Sequence, residues 1–111
     1  MIMTDKVLRY LGFAKKAGSL VSGVNTCTYN MNRGKAALVI LAEDISENSE
    51  KKIMKEIRKS GTEFVKFSTI DDLSHAVGQS GRSVFAITDD QFAKTILNEI
   101  MREKDRRRVC E

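Results

Sequence analysis

The fold is decided by a stretch that opens with Gly18-Ser19-Leu20-Val21-Ser22-Gly23-Val24-Asn25, continues through Asn32-Arg33-Gly34-Lys35 and closes with Leu38-Val39-Ile40-Leu41-Ala42-Glu43-Asp44. It predicts a helix that begins near Ser22 and Gly23 and ends at Gly34. The continuous apolar run after that helix is typical of a strand buried on both faces, at the centre of a sheet. Because the first N–H groups of a helix have no intrahelical partner, the start of this helix suits a polar or anionic ligand. We therefore expect a functional site there.

Apolar spacing on both sides of this stretch predicts further helices that alternate with short strands. Upstream, it predicts an amphipathic helix over residues 5–17 that ends at Gly18. Downstream, the predicted elements are a helix from Ser46 to Gly61, a strand over residues 64–67, a short helix from Thr69 to Val77, a strand over residues 84–87 and a final helix opening at Thr88. This order predicts a three-layer α/β/α sandwich with a largely parallel sheet.

Length and composition indicate a single globular, soluble domain. The chain has 111 residues, of which 41% are hydrophobic and 31% charged, which is enough for one core. No apolar run approaches the roughly 20 residues that span a bilayer, so we expect a cytoplasmic protein with no membrane partner. Cys27 and Cys110 lie far apart, without Cys or His at ligand spacing. We therefore expect free thiols and neither a metal site nor a cofactor.

Charge is distributed unevenly along the chain, whose formal net charge is +4. Residues 1–37 carry six basic side chains against Asp5 alone, and residues 91–111 carry six basic and four acidic side chains. The central residues 38–90 are acidic on balance, with seven basic and ten acidic side chains. Basic ends favour a surface that faces a polyanion, although a solvated helix face is the other interpretation of any one charge run.

Little in the sequence points to catalysis. The lone histidine, His75, has no Ser or Cys nucleophile near it in a catalytic pattern, and we interpret it as a partly buried helix residue. Two acidic pairs, Glu43-Asp44 and Asp89-Asp90, follow predicted strands and are expected at one edge of the sheet. Acids there can hold a metal, but they ordinarily cap helices, which is the interpretation we favour. The sequence has no Walker loop and no dinucleotide-binding glycine pattern.

A polar turn with two glycines, Gly78-Gln79-Ser80-Gly81-Arg82-Ser83, lies between a predicted helix and a predicted strand. Its glycines allow a ligand to approach the backbone, but a plain connection also needs them for its geometry. The G-x-x-G pattern occurs in the KH module as well, where it joins two helices. Because a strand follows here, we reject the KH module and keep the ligand loop and the plain connection as alternatives.

Motifs along most of the chain resemble those of the ribosomal L7Ae family. They are Leu11-Gly12-Phe13-Ala14-Lys15-Lys16-Ala17-Gly18, Ser22-Gly23, Arg33-Gly34-Lys35-Ala36, Leu38 to Asp44, Leu73-Ser74-His75-Ala76-Val77-Gly78 and Val84-Phe85-Ala86-Ile87-Thr88-Asp89. Their order and spacing match over residues 5–97, and the small bacterial members look most similar. The resemblance implies an L30e-like α/β/α sandwich with a mixed four-stranded sheet, in which residues 19–21 supply an additional edge strand.

The resemblance also implies binding of kink-turn RNA, whose sharp bend and sheared G·A pairs expose base edges that an A-form helix hides. In the family the second helix reads these edges with the pattern Gly-x-Asn-Glu-x-x-Lys. Gly23 and Asn25 match that pattern, with Val24 between them. Thr26 stands in place of the acid and Tyr29 in place of the lysine. Tyr29 then either contacts RNA by stacking or hydrogen bonding, or belongs to the core.

A second loop of the family packs against the nucleotide extruded at the bend, and its position here is taken by Val77, Gly78, Gln79 and Arg82. Arg82 is expected to contact phosphate. We expect further basic side chains to frame the same edge of the domain, namely Lys15, Lys16, Arg33 and Lys35. The RNA-binding domain is assigned to residues 1–101, and residues 102–111 to a basic C-terminal tail that is either a solvated helix end or an accessory RNA arm.

These features together predict a monomeric, non-catalytic protein that binds structured, kink-turn-like RNA, associated with the ribosome or with another RNA. Two other functions are kept as alternatives. One is a protein-interaction adaptor that retains the fold without kink-turn specificity. The other is an enzyme acting on a small ligand with His75 and the acidic strand ends, which requires a deep pocket that joins these groups.

Overall fold

The computed structural model describes the backbone of residues 4–110 and the side chains of residues 6–105. Within that range the chain forms helices that alternate with strands, and these elements are α1 (Thr4–Lys16), β1 (Leu20–Ser22), α2 (Val24–Asn32), β2 (Leu38–Leu41), α3 (Glu47–Ser60), β3 (Phe64–Lys66), α4 (Ile70–Ala76), β4 (Val84–Ile87) and α5 (Asp90–Cys110). The predicted elements are all present, and the additional edge strand that the resemblance implied is β1. No helix of this described part is long and apolar enough to cross a membrane.

The four strands form a mixed sheet in the order β1-β4-β2-β3. β2 pairs with β3 in parallel, whereas β4 runs antiparallel to both β1 and β2. The mixed sheet that the resemblance implied is confirmed, and the largely parallel sheet predicted from the alternation of elements is wrong. The seven residues of α4 span only about 10 Å. The chain is therefore still at the edge where β3 ended when it enters β4. From that edge β4 runs in the opposite direction to β2 and β3.

Helices cover both faces of the sheet. Every residue of β2 and β4 is buried, which explains their continuous apolar sequence. Side chains alternate between two cores, because successive residues of a strand point to opposite faces. Leu38 and Ile40 pack with residues of α1, α4 and α5 on one face. Val39 and Leu41 pack with residues of α2 and α3 on the other. The α/β/α sandwich is therefore confirmed.

Capping side chains define the starts of α3 and α4 as predicted. The hydroxyl of Ser46 accepts a hydrogen bond from the backbone N–H of Ser49 at 3.2 Å, and Thr69 caps α4 in the same way through Asp72, also at 3.2 Å. The prediction that Thr88 caps α5 is wrong. The Thr88 N–H still donates to the Ser19 carbonyl at the end of the sheet, at 2.8 Å. α5 is capped one residue later by Asp89, whose carboxylate accepts from the Phe92 N–H at 2.9 Å.

The two acidic pairs lie at opposite edges of the sheet, not at one edge as predicted. They follow β2 and β4, which are antiparallel and therefore end on opposite sides. Each pair contributes a cap: Asp44 accepts from the Ile70 N–H at 2.8 Å, at the start of α4, and Asp89 caps α5. Within the described residues no group of three or more His, Cys, Asp and Glu side chains is placed to hold a metal ion.

Candidate functional site

Gly23 is the N-cap residue of α2, and the helix start leaves backbone N–H groups available to a ligand. Gly23 has φ 98° and ψ 147°, and within the described range no side chain caps the helix. Its own N–H donates to the Val84 carbonyl at 2.9 Å, which fixes the turn against the start of β4. Asn25 and Thr26 follow, both exposed. The helix start therefore presents N–H groups, an amide and a hydroxyl to a ligand.

The loop from Val77 to Arg82 is held in place by Ser74, a buried residue of α4. The Ser74 hydroxyl accepts from the Arg82 N–H at 2.9 Å and donates to the Arg82 carbonyl at 3.0 Å. The N–H of Gln79 donates to the Ser74 carbonyl at 2.8 Å. Sequence reasoning missed Ser74; the available signal was a serine directly after the apolar Leu73 in a short helix. The loop connects α4 to β4, as expected. Its end is held in place because the N–H and the carbonyl of Arg82 both bond to the Ser74 hydroxyl.

The loop and the helix start meet through the side chain of Arg82. A Cβ atom placed on Gly23 would lie 2.8 Å from the Arg82 Nη1 atom, closer than such atoms approach. The glycine therefore makes room for the guanidinium directly at the start of α2. The exposed Arg82 adds a positive charge where the helix dipole already favours anions. Two segments that are distant in sequence thus form one surface.

Tyr29 and Arg33 form a pair on the exposed side of α2. Tyr29 is 59% exposed, which excludes the alternative that it belongs to the core. The Arg33 guanidinium donates to the Tyr29 hydroxyl at 3.1 Å, and its central carbon lies 5.3 Å from the centre of the ring. These two residues follow Asn25 at intervals of one helical turn, because residues four apart share a helix face. α2 therefore carries a polar and aromatic row along its surface.

Other residues predicted for the site lie further from its centre. Val77 is buried in the core that faces α1, and Val24 is half-buried. Gly78 and Lys35 are exposed, and Gln79 is half-buried. Neither the two hydrogen bonds between Arg82 and Ser74 nor the close approach of Arg82 to Gly23 involves these residues. Of the predicted set, the structure brings Gly23 and Arg82 into direct proximity and places Asn25 and Thr26 beside them.

The four basic side chains predicted to frame the loop edge have their backbone toward the other edge of the sheet, and their contact with RNA stays a prediction. α1 ends before β1 and α2 begins after it, so Lys15 and Lys16 lie toward the opposite edge of the sheet from Gly23. Arg33 and Lys35 lie toward that opposite edge as well, because the following Ala37 donates to the Ile87 carbonyl at the end of β4. Arg33 nevertheless belongs to the α2 surface, about 12 Å along the helix from Asn25.

His75 is exposed in the last turn of α4, not partly buried as predicted. It lines a groove of about 650 Å³ between α1 and α4, together with Leu8, Arg9, Gly12, Phe13, Lys16, Asp72 and Ala76. Neither acidic pair contributes to this groove. The arrangement that the small-ligand enzyme required, a pocket joining His75 to the acidic strand ends, is therefore not formed by the groove.

Cys27 is a buried residue of α2, and the charge of Arg82 affects the pKa of its thiol. Its thiol is fully buried and directed at the Val21 carbonyl, with the sulfur 3.8 Å from the oxygen. Burial raises the pKa of the Cys27 thiol from its ordinary 9.0 to about 12, and the positive charge of Arg82 opposes that rise. The folded protein therefore keeps this thiol protonated in solutions where an exposed thiol ionises.

We expect Cys27 to make the fold sensitive to alkali. Above pH 9 the unfolded chain loses the thiol proton while the folded chain retains it until about pH 12, so stability falls as the pH rises. From pH 8 to pH 10 this amounts to about 1.4 kcal/mol of unfolding free energy. Denaturant titrations at the two pH values measure the fall in wild type and in Cys27→Ala. The variant should lose about 1.4 kcal/mol less than wild type, and an equal loss in both proteins would contradict the prediction.

Comparisons with known proteins agree with this architecture. A model of the ribosomal protein L7Ae/L30e/S12e/Gadd45 family matches residues 5–97. The chain is 31% identical over 88 residues to the RNA-binding protein YlxQ of Bacillus subtilis, covering 79% of this chain and 88% of that protein. It is 32% identical over 77 residues to the large ribosomal subunit protein eL8 of Halobacterium salinarum, covering 68% of this chain and 64% of that protein.

A solved structure shares the same arrangement of helices and strands. It is a protein of unknown function from Bacillus halodurans, 25% identical in sequence, which superposes with a TM-score of 0.80 over 86% of this chain and 96% of the other. The family match covers most of the chain, including α2, α4 and the loop that carries Arg82. The chain therefore belongs to the ribosomal protein L7Ae/L30e/S12e/Gadd45 family.

Proposed function

We propose that this protein binds structured RNA without catalysis, reading a kink-turn-like bend through the start of α2 and the loop that ends at Arg82. The observation that carries the proposal is the close approach of the Arg82 guanidinium to Gly23, in the space that a Cβ atom would take. It sets a positive charge beside uncapped helix N–H groups, close to Asn25. Base edges exposed in a bend are recognised by such amides, and the phosphates nearby by guanidinium groups and helix N-termini.

The comparisons support the same function. The Bacillus subtilis relative is named an RNA-binding protein, and the Halobacterium salinarum relative is a ribosomal protein. We infer that the RNA partner is ribosomal RNA or another folded RNA, bound by a monomer in the cytoplasm. This chain has Thr26 where the family pattern has glutamate, and Tyr29 where it has lysine. Recognition of the RNA bend is therefore left to Asn25, Arg82 and the backbone of α2.

We expect Asn25→Ala to remove the preference for a kink-turn. The amide both donates to and accepts from a base edge, and losing such a paired contact costs about tenfold in affinity. The measurement is a titration of a consensus kink-turn RNA, and of a matched duplex without the G·A pairs, at several salt concentrations. Wild type should bind the kink-turn more tightly, and Asn25→Ala should bind the two RNAs alike.

Asn48→Ala is the matched control, because Asn48 is also an exposed asparagine in the first turn of a helix, on α3. It should leave the kink-turn preference intact. Equal weak binding of both RNAs by wild type, lost steeply with salt, would mean contact through charge alone. Absence of RNA binding together with salt-insensitive protein binding would favour the adaptor function instead.

A further inference from the structure

The pair of Tyr29 and Arg33 has the features of a nucleotide-binding platform. A ring that is 59% exposed lies on the surface of α2, with a guanidinium held over it by a hydrogen bond of 3.1 Å to its hydroxyl. The distance of 5.3 Å from the guanidinium carbon to the ring centre lies within the range of a cation–π contact. The two side chains therefore hold each other in place before any ligand binds.

The charge around this pair favours an anionic ligand. No acidic residue occurs in the sequence between Asp5 and Glu43, a segment that includes all of α2. On the neighbouring α3, Glu47 pairs with Lys51 at 3.5 Å and Glu50 pairs with Lys66. Lys35 is exposed two residues beyond Arg33. Among the side chains that the structure describes, no carboxylate forms an ion pair with the Arg33 guanidinium. Its remaining N–H groups are suited to a phosphate.

Geometry connects the pair to the proposed reading residues. Asn25, Tyr29 and Arg33 succeed one another at one-turn intervals, each about 6 Å further along the helix axis. If an extended RNA strand has one base bound at Asn25 and continues along α2, it therefore reaches the Tyr29 ring next and the Arg33 guanidinium after it. Aromatic rings stack on any base, whereas arginine holds the adjoining phosphate, which is how single-stranded RNA is commonly bound.

We propose that Tyr29 and Arg33 form an accessory site for an unpaired nucleotide, whose base stacks on the open face of Tyr29 and whose phosphate binds Arg33. This inference rests on the RNA-binding function proposed above and adds a class of target to it. The preferred RNA is a bend with an unpaired strand beside it, and a bend flanked only by paired helices leaves the site empty.

The test compares a kink-turn RNA that carries a short unpaired adenosine tail, at either end in turn, with the same RNA lacking a tail. We expect wild type to prefer one tailed form. Tyr29→Leu should weaken binding of that form about tenfold and leave the untailed form unchanged, whereas Tyr29→Phe retains the ring and most of the affinity. Arg33→Gln should reduce the salt dependence of tailed binding by about 0.7 in the log–log slope.

Phe64→Leu is the matched control, since Phe64 is an aromatic residue that is 41% exposed on β3, away from α2. It should change neither affinity. A second readout is tyrosine fluorescence, because the chain has two tyrosines and no tryptophan. In a Tyr10→Phe background the emission reports Tyr29, and we expect an adenosine tail to quench it and an abasic tail to leave it unchanged.

The outcomes separate this inference from the proposed function. Equal losses for tailed and untailed RNA in Tyr29→Leu would place Tyr29 in reading the bend itself and overturn the accessory site. Identical wild-type affinity for tailed and untailed RNA, or no quenching by the adenosine tail, would overturn it as well. If the kink-turn preference is absent while binding and quenching by the tail still depend on Tyr29, the proposed function fails and the accessory site stands.

Discussion

Ser74→Ala is expected to lower the free energy of unfolding by about 2–4 kcal/mol, because its hydroxyl satisfies both the N–H and the carbonyl of Arg82. Ser74 is 1% exposed, so water does not replace the hydroxyl easily. Denaturant unfolding at constant pH measures the change. Ser80→Ala is the matched control: Ser80 is an exposed serine of the same loop, and its replacement should alter stability by less than about 0.5 kcal/mol.

The same substitution should weaken RNA binding through Arg82. Without the Ser74 hydroxyl the loop no longer holds the Arg82 backbone, so the guanidinium occupies its place beside Gly23 for less of the time. We expect about a tenfold loss of kink-turn affinity, measured where both proteins are fully folded. In an Arg82→Gln background, Ser74→Ala should cause little further loss. Additive losses in the double variant would show that Ser74 does not act through Arg82.

The central strands could be predicted from sequence because their signal does not depend on partners. β2 and β4 are buried at every position, and each is a continuous apolar run. A continuous apolar sequence does not indicate the direction of the strand, however. A run such as Leu38-Val39-Ile40-Leu41 has the same pattern in parallel and in antiparallel pairs. β1 has only three residues, too few for a periodic signal, so only the family resemblance indicates a strand over residues 19–21.

The start of α2 was also predictable, because Gly23 and the residues after it form a local pattern. Arg82, the neighbour that completes this surface, could not be predicted from the spacing of residues in the sequence. Antiparallel pairing sets Ser22 opposite Phe85, so Gly23 meets Val84 and comes within reach of Arg82. Only the register of two strands that are distant in sequence creates this contact. The position of Lys15 and Lys16 could not be predicted for the same reason, since the edge of the sheet toward which their backbone lies follows from the direction of β1.

Gly23→Ala should produce the largest combined effect on stability and RNA binding. With φ 98° and ψ 147°, Gly23 has a backbone conformation that is nearly restricted to glycine, and an alanine there costs about 1–3 kcal/mol of stability. The new Cβ would also lie 2.8 Å from the Arg82 Nη1 atom. Because a guanidinium is the far end of a flexible side chain, Arg82 moves away and the fold survives. We expect kink-turn affinity to fall by between about 10-fold and 100-fold.

Gly61→Ala separates the backbone effect from the displacement of Arg82. Gly61 has φ 72° at the end of α3, with open space where a Cβ would be added. Its replacement should cost about 1–2 kcal/mol of stability and leave RNA binding unchanged. If Gly23 acts by making room for the guanidinium, Gly23→Ala should add little to the loss already present in Arg82→Gln. A full additional loss in the double variant would assign the role of Gly23 to direct backbone contact with RNA, and Arg82 would then be an independent phosphate ligand.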